Sequence, residues 1–217
     1  MNIIQNFLTQ NDCYLGGKTI TVKGLMLHSV GCSQPNASVF LKNWNRSGVE
    51  ACVHAFIDGN TGTVYQTLPW NHRGWHCGSK GNNTHIGIEM CEPSTIKYTS
   101  GASFKDTDPV ATKKVVLRTY NAAVELFAFL CKEYKLNPMT DIVSHREGNA
   151  LGIASNHGDP EHLWKAFGLS MDGFRNDVKK AMSASAPKGK LYRVQVGAFS
   201  IKANAEKLAK ELKAKGY

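Results

Sequence analysis

Apolar residues along most of the chain fall into short runs, bounded by turns rich in Gly, Asn and Asp. Runs of this length and setting are typical of β-strands. We predict strands at residues 24–30, 52–58, 62–67, 73–77, 85–91 and 141–144. The Asp58-Gly59-Asn60-Thr61-Gly62 segment, between two of these runs, predicts a hairpin turn.

A second pattern, with apolar residues three or four positions apart, predicts a long amphipathic helix at residues 109–134. Asp108 fits its N-cap and Pro109 its first position, and Pro138 lies just beyond its end. Further helices are predicted at residues 37–46, after Asp159-Pro160, and at 171–182. Short strands combined with helices that bury one face predict an α/β fold with a central mixed β-sheet flanked by helices.

The composition changes at residues 183–190, where small residues with Pro187 and Gly189 predict a linker. We therefore expect a first domain at residues 1–182 and a separate module at 191–217. An alternating pattern at 191–199 predicts a strand, and an amphipathic helix follows Ser200. One strand and one helix cannot enclose a core, so we expect this β-α module to be incomplete.

The net charge of +9 is unevenly distributed, because residues 183–217 hold eight Lys or Arg and two Glu, or +6 of the total. A basic segment favours an anionic partner, which can be nucleic acid, a membrane surface or a cell-wall polymer, and charge does not choose among them. No apolar run approaches the roughly 20 residues that span a bilayer. The N-terminus does not resemble a signal peptide, so we expect synthesis in the cytoplasm without one. The six cysteines form no C-x-x-C pair and are expected to be reduced and mostly buried.

Three potential metal ligands lie at the ends of predicted segments. His28 closes an apolar run, His145 follows the strand at 141–144, and Asp159 lies in Asn156-His157-Gly158-Asp159-Pro160. Two imidazoles and a carboxylate can hold one Zn²⁺ and leave a fourth position for water, as in catalytic sites. Other roles are open: each histidine can be an ordinary hydrogen-bonded residue, and Asp159 can be a helix N-cap.

Two further residues can take part in chemistry at such a site. Glu89 alternates with Ile88 and Met90 and therefore faces the other side of its strand. It is either a solvent-facing carboxylate or a general base that accepts the proton of a metal-bound water. His157, two residues before Asp159, is either an ordinary loop residue or a donor to the developing oxyanion.

A third group of residues is predicted to contact the substrate, namely Trp75, His76 and His54. Trp75 and His76 can line a groove, although Trp75 can equally belong to the core. Cys52 and His54 share one strand face and form an alternative metal pair, but no third ligand stands at a natural spacing.

Six segments together carry a resemblance to a known family. They are Leu25-Met26-Leu27-His28-Ser29, Val53-His54-Ala55-Phe56-Ile57-Asp58, Gly74-Trp75-His76-Cys77-Gly78, Ile86-Gly87-Ile88-Glu89, Ser144-His145-Arg146-Glu147-Gly148 and Asn156-His157-Gly158-Asp159-Pro160. In this order they resemble the zinc-dependent N-acetylmuramoyl-L-alanine amidases of the amidase-2 type. That family includes phage lysins, bacterial wall amidases and peptidoglycan recognition proteins. The resemblance covers nearly all of residues 20–168.

The resemblance implies one Zn²⁺ per chain on His28, His145 and Asp159, with Glu89 as the catalytic carboxylate. The implied activity is hydrolysis of the peptidoglycan amide between N-acetylmuramic acid and L-alanine by a zinc-activated water. Several relatives have a lysine where this chain has His157, which is the position proposed to bind the oxyanion. The alternative is a non-catalytic peptidoglycan-binding protein on the same scaffold, since some relatives have lost a zinc ligand. All three candidate ligands are present here, which argues against that alternative.

The tail carries a second resemblance. Tyr192-Arg193-Val194-Gln195-Val196-Gly197-Ala198-Phe199-Ser200, followed by Asn204-Ala205-Glu206, is similar to the opening of a SPOR domain, a family that binds peptidoglycan. We therefore expect bacterial peptidoglycan as the partner, with no nucleic acid and no membrane, and a monomeric chain. We expect the protein to reach the cell wall through holin-dependent release or lysis, as a phage lysin or a host autolysin.

Overall fold

The computed structural model describes residues 2–183 and 202–214, and the chain separates into two compact units, Met1–Ser183 and Ala184–Tyr217. The first unit combines strands with helices of very different length. Its strands are β1 (Ile3–Gln5), β2 (Gly24–Ser29), β3 (Ala55–Ile57), β4 (Val64–Gln66), β5 (His85–Met90), β6 (Ile96–Ser100), β7 (Ser103–Asp106) and β8 (Ile142–Ser144). Its α-helices are α1 (Asp12–Leu15), α2 (Ala37–Trp44), α3 (Pro109–Tyr134), α4 (His145–Ala150), α5 (Glu161–Trp164) and α6 (Met171–Ser183).

The strands of the main sheet lie in the order β1-β4-β3-β5-β2-β8. Strands β3 and β4 pair antiparallel, and all other neighbours in this sheet pair parallel. Strands β6 and β7 form a separate antiparallel pair. The predicted α/β fold with a central mixed sheet flanked by helices is therefore confirmed.

The two faces of the central strands have different roles. Leu25 and Leu27 on β2, with Ile86 and Ile88 on β5, belong to the large apolar core, which also contains residues of α3 and α6. Because successive side chains in a strand point to opposite faces, the intervening Met26 and His28 face the other way. Strands covered on both faces are typical of parallel sheets and explain why β2 is buried along its whole length.

The long helix α3 begins and ends as its sequence predicts. Asp108 is the N-cap and accepts a hydrogen bond from the Ala111 backbone N–H at 3.0 Å, and Pro109 is the first residue. The helix ends at Lys135, whose φ of 56° is left-handed. Its buried stripe packs against α6, where the Phe174 ring contacts aromatic rings of α3 and α5.

Some elements differ from the sequence prediction. The segment 73–77 is not a strand, because it makes only an isolated antiparallel bridge between Trp75 and Cys52 within the described residues. The segment 52–58 forms a strand only at Ala55–Ile57, and the helix predicted at 37–46 ends at Trp44. The pattern did not predict β1, α1, α4 or the β6–β7 pair, which are short and carry little apolar periodicity.

The second unit contains helix α7 (Lys202–Ala214), in the region where the amphipathic pattern after Ser200 predicts a helix. The predicted strand at 191–199 and all but the first residue of the predicted linker at 183–190 lie outside the described residues. Within the described ranges, no helix is both long and apolar enough to cross a membrane.

Candidate metal centre

The sheet topology brings His28 and His145 together. His28 lies near the end of β2, and β8, which pairs with β2 in parallel, ends at Ser144. Helix α4 then begins with His145, and a reciprocal pair of hydrogen bonds between Ser144 and Glu147 caps its first turn. Because parallel strands end at the same edge of a sheet, their terminal side chains meet there.

The carboxylate of Asp159 completes a group of three potential ligands. The Nδ1 atoms of His28 and His145 are 3.0 Å apart. His28 Nδ1 lies 3.3 Å from Asp159 Oδ2, and His145 Nδ1 lies 3.5 Å from Oδ1. Tetrahedral Zn²⁺ with bonds of about 2.0–2.1 Å needs ligand atoms about 3.3 Å apart, so the spacing of these donors fits one such ion.

Asp159 is held by the loop that follows α4. Its Oδ2 accepts a hydrogen bond from the Ser29 backbone N–H at 3.4 Å. The N-cap position of α5 is Pro160 and has no side-chain cap, so Asp159 does not act as the helix cap considered above. Burial by itself raises the pKa of Asp159, but hydrogen bonds and charge from His145 and His28 outweigh burial and lower that pKa well below its usual value.

Five imidazole rings lie in a row through the site. In order they are His54, His76, His28, His145 and His157, with successive ring centroids 5.9, 5.1, 4.8 and 4.5 Å apart. Burial lowers the pKa of His28, an effect that Asp159 partly opposes. Burial also lowers the pKa of His76, and neighbouring imidazoles lower it further.

Glu89 lies beside the three potential ligands, on the neighbouring strand. Its Cα pairs with that of His28 in the β2–β5 register, so both side chains share one face. Glu89 lines a cavity of about 440 Å³ together with His145 and Asp159. Among the described residues, its buried Oε2 has no hydrogen-bond partner. Burial raises the pKa of Glu89, and the negative charges of Asp159 and Glu92 raise it further.

His157 is exposed at the rim of the same cavity. Its Nδ1 lies 3.0 Å from Ser155 Oγ and 3.2 Å from His145 Nε2. Ser155 Oγ is in turn 3.1 Å from His145 Nε2. Ser155 was not among the predicted site residues; the only signal for it in the sequence is its position two residues before His157.

The three predicted substrate contacts occupy different environments. Trp75 is 42% exposed and lines the cavity, so it does not belong to the core. The Arg73 guanidinium lies over its ring, 4.9 Å from the centroid. His76 also borders the cavity, but both of its ring nitrogens have partners within the protein, His28 Nε2 and the His85 carbonyl.

The prediction for His54 needs correction. Its side chain is fully buried, its Nδ1 accepts a hydrogen bond from the Gly87 N–H at 3.0 Å, and its Nε2 donates to the His72 carbonyl at 2.8 Å. No ring nitrogen is left to contact a substrate. Within the described residues, His54 and Cys52 do not form part of a three-ligand group either.

A buried polar cluster next to the site was also missed. Glu92 accepts hydrogen bonds from Ser29 Oγ at 2.7 Å and from the Tyr98 hydroxyl at 2.6 Å. The Tyr98 hydroxyl also lies 2.6 Å from His162 Nε2. The cluster joins the end of β2 and the segment after β5 to β6 and α5, and its members are too far apart in sequence to form a recognisable motif.

The fold and this donor set define an α/β protein with a candidate mononuclear metal centre. The profile described as N-acetylmuramoyl-L-alanine amidase matches residues 18–162, and the chain belongs to this family. A SPOR domain profile matches residues 170–217. Both resemblances stated from the sequence are confirmed.

Individual relatives agree with this assignment. The N-acetylmuramoyl-L-alanine amidase XlyA of Bacillus subtilis is 32% identical over 100 residues, which is 42% of this chain, and the chain spans 32% of that relative's length. The solved catalytic domain of XlyA gives a TM-score of 0.58 at 20% identity, covering 82% of this chain and 99% of that domain. The solved structure of the Staphylococcus aureus hydrolase AmiA gives a TM-score of 0.58 at 18% identity. The match covers 83% of this chain and 82% of that chain. At these identities the solved structures show a shared fold.

Proposed function

We propose that the chain is a zinc-dependent N-acetylmuramoyl-L-alanine amidase, which hydrolyses the peptidoglycan amide between N-acetylmuramic acid and L-alanine. The observation that carries the proposal is the cavity that joins a potential metal triad to a free carboxylate. His145 and Asp159 of the triad line it, and Glu89 contributes a buried oxygen without a partner in the described structure. Family membership supports the same reaction.

His28, His145 and Asp159 would hold the ion through two Nδ1 atoms and one carboxylate oxygen, a donor set that suits Zn²⁺. When bound there, Zn²⁺ would polarise the scissile carbonyl and make a water acidic enough to lose a proton near neutral pH. The chain itself orients the ligands: the Ser144–Glu147 capping box fixes the turn before His145, and the Ser29 N–H holds Asp159.

Glu89 would take the proton of the attacking water on its unpartnered Oε2 and later pass it to the leaving amine. Its location supports this role, because a general base must lie within hydrogen-bond reach of the proton that it accepts. Its raised pKa, caused by burial and then by neighbouring negative charge, gives it more affinity for that proton than an exposed carboxylate has.

His157 would stabilise the oxyanion. If His145 Nε2–H donates to His157 Nδ1, the proton of a neutral His157 ring is on Nε2, where it can be donated to a developing negative charge. Trp75, exposed on the wall of the same cavity, would contact the substrate. The SPOR-matched segment, which includes the basic tail, would bind the peptidoglycan itself and keep the catalytic unit at the cell wall.

The proposal is tested with purified cell walls, by measuring new N-terminal L-alanine released by the wild type and by Glu89→Gln. We expect the substitution to lower the rate by about 10²–10⁴-fold, because it removes the proton acceptor but keeps the side-chain shape. Zinc content and the unfolding curve should remain unchanged.

Three outcomes would contradict parts of the proposal. Equal release by both proteins would exclude Glu89 as the base. Wall binding without L-alanine release by either protein would favour the non-catalytic peptidoglycan-binding alternative. Purified wild type that hydrolyses walls at full rate after complete metal removal would exclude a metal-dependent reaction.

A further inference from the structure

We propose that His76 is a positioning residue, which fixes the tautomer and the ring orientation of His28 so that His28 Nδ1 faces the metal position. This inference rests on the proposed metal centre and deepens it. It replaces the sequence-based expectation that His76 contacts the substrate.

The first argument is the direction of the hydrogen bonds. His76 Nε2 lies 3.1 Å from the His85 backbone carbonyl, which can only accept, so Nε2 must carry the proton. In a neutral ring, His76 Nδ1 is then the acceptor. It lies 3.0 Å from His28 Nε2, which must therefore donate. His28 is thereby left with its lone pair on Nδ1, the atom that faces His145 and Asp159.

The second argument is that the protein is shaped around the His76 ring. A Cβ atom at Gly87 would lie 2.4 Å from Cγ of His76, and a Cβ at Gly74 would lie 3.1 Å from its Cδ2. Position 87 therefore has to be glycine for the ring to occupy this space, and a side chain at position 74 would crowd the ring. The His76 backbone N–H donates to Oδ1 of the buried Asn82 side chain at 2.8 Å. This hydrogen bond fixes the backbone of His76.

The third argument is that His76 has no ring nitrogen free for another partner. Its hydrogen bonds to the His85 carbonyl and to His28 use both nitrogens. His54 stands behind it at a centroid distance of 5.9 Å, and the His54 Nδ1 atom holds the Gly87 N–H. A chain of contacts therefore runs from His54 through Gly87 and His76 to His28. It supports the proposed metal ligand His28 on the Nε2 side of its ring.

The expected consequence is a change in metal affinity. Without an acceptor at Nδ1 of residue 76, the His28 ring can take the other tautomer or rotate, and each alternative turns a proton or a carbon towards the metal. Loss of such a partner typically weakens metal binding by about 10–100-fold.

The test compares the substitutions His76→Leu and His76→Asn in the full chain, titrated with Zn²⁺ against a chromophoric chelator. Leu has no acceptor, whereas the Asn carbonyl can accept near the position of Nδ1, so we expect a loss of about 10–100-fold for Leu and a partial rescue by Asn. His85→Leu is the matched control: it removes a neighbouring imidazole but retains the backbone carbonyl that His76 uses, and its affinity should stay within about 2-fold of wild type.

The second measurement is the tautomer of His28, from ¹⁵N NMR of the zinc-loaded protein at neutral pH. Wild type should carry the His28 proton on Nε2, and His76→Leu should show a mixture or the other tautomer. Gly87→Ala places a methyl group against the intact His76 ring and pushes that ring away. It should change the spectrum in the same direction as His76→Leu, and it replaces His76→Leu in this measurement if that variant does not fold.

Unchanged zinc affinity and an unchanged tautomer in folded His76→Leu would overturn the inference. So would equal losses in His76→Leu and His76→Asn, which would indicate a packing role. These outcomes are distinct from failure of the proposed function: a wild type that binds zinc but releases no L-alanine refutes the activity and leaves the His76 comparison valid.

Discussion

At the residue scale, the partners of each ring nitrogen decide what a histidine does in this protein. His54 is bonded on both nitrogens to backbone groups and links β5 to the segment at His72. His28 is equally buried but directs one nitrogen towards another imidazole and a carboxylate. Burial of a neutral imidazole costs little when its nitrogens are satisfied, whereas a buried imidazolium loses its hydration.

The burial of His54 predicts a pH dependence of stability. Burial lowers the pKa of His54 to about 4, from the usual 6.5. Between these two values the unfolded state binds more protons than the folded state, so stability must fall as pH decreases from 6.5 towards 4. The contribution of this one residue is on the order of 3 kcal/mol at full effect.

The measurement is urea unfolding between pH 7 and about pH 4 with a chelator present, which removes the pH dependence of metal binding. His54→Asn retains an acceptor for the Gly87 N–H but cannot titrate, so its stability should fall less steeply with decreasing pH than that of wild type. Parallel curves for the two proteins would show that His54 does not cause the slope.

At the scale of elements, β2 and β5 separate structure from chemistry by alternation. The odd-numbered residues Leu25 and Leu27 of β2 and the even-numbered residues Ile86 and Ile88 of β5 supply aliphatic side chains to the core. The alternate positions of the two strands supply His28 and Glu89 to the site. A shift of one residue in register would exchange the two sets, so burial of the aliphatic face also specifies where the functional side chains lie.

Helix α6 packs on the main apolar core of the first unit. Phe174 is fully buried and lies 5.1–5.6 Å from the rings of Tyr120, Phe127 and Trp164. Arg175 donates to the Ile142 carbonyl at 3.0 Å and forms an ion pair with Glu147. These bonds connect α6 to β8 and to the turn that presents His145.

We therefore expect Phe174→Ala to lower the free energy of unfolding by about 3–5 kcal/mol, because the cavity between three aromatic rings cannot close fully. Phe129→Ala is the matched control, since Phe129 on α3 is 39% exposed and its loss should cost no more than about 1 kcal/mol. Urea unfolding of both variants measures the difference; similar losses would show that α6 is not packed on this core.

At the scale of the whole molecule, the SPOR match and the compact units divide the chain at different places. The match begins at residue 170, but α6, which follows immediately, packs on the first unit, and the compact units separate after Ser183. The helix that belongs to the SPOR match by sequence is therefore part of the first unit by packing.

This difference predicts opposite results for two truncations. A protein ending at Ser183 should have a melting temperature within a few degrees of that of the first unit in the full chain. It should also cleave a soluble muramoyl peptide at a rate similar to that of the full chain. A protein ending at Ser170 loses the buried side chains of Met171, Phe174 and Val178 and should unfold at least about 10 °C lower or fail to fold.

Binding to purified walls supplies the other half of this test. Removal of the SPOR-matched tail should weaken wall binding by the protein ending at Ser183 without changing its rate on the soluble substrate. A folded, stable protein ending at Ser170 would assign α6 to the second unit instead.

The sequence by itself determined the class of fold and the candidate site. The apolar alternation in β2 and β5 and the helical periodicity of α3 are local signals, each caused by burial of one face, and they can be read without a structure. His28, Glu89, His145 and Asp159 could be named because each lies at a segment end or on the polar face of a strand. The individual roles remain predictions for the experiments above.

Only the tertiary structure decided how the other histidines are used. Whether His54 reaches solvent, and which atoms His76 faces, depends on Gly74 and Gly87 and on the backbone carbonyls of His72 and His85, which only the folded chain places against these rings. Hydrogen-bond direction is a property of pairs, and the members of these pairs meet only when the chain folds. The physical reason is that residue type sets the possible donors and acceptors, whereas folding selects the partner that each one finds.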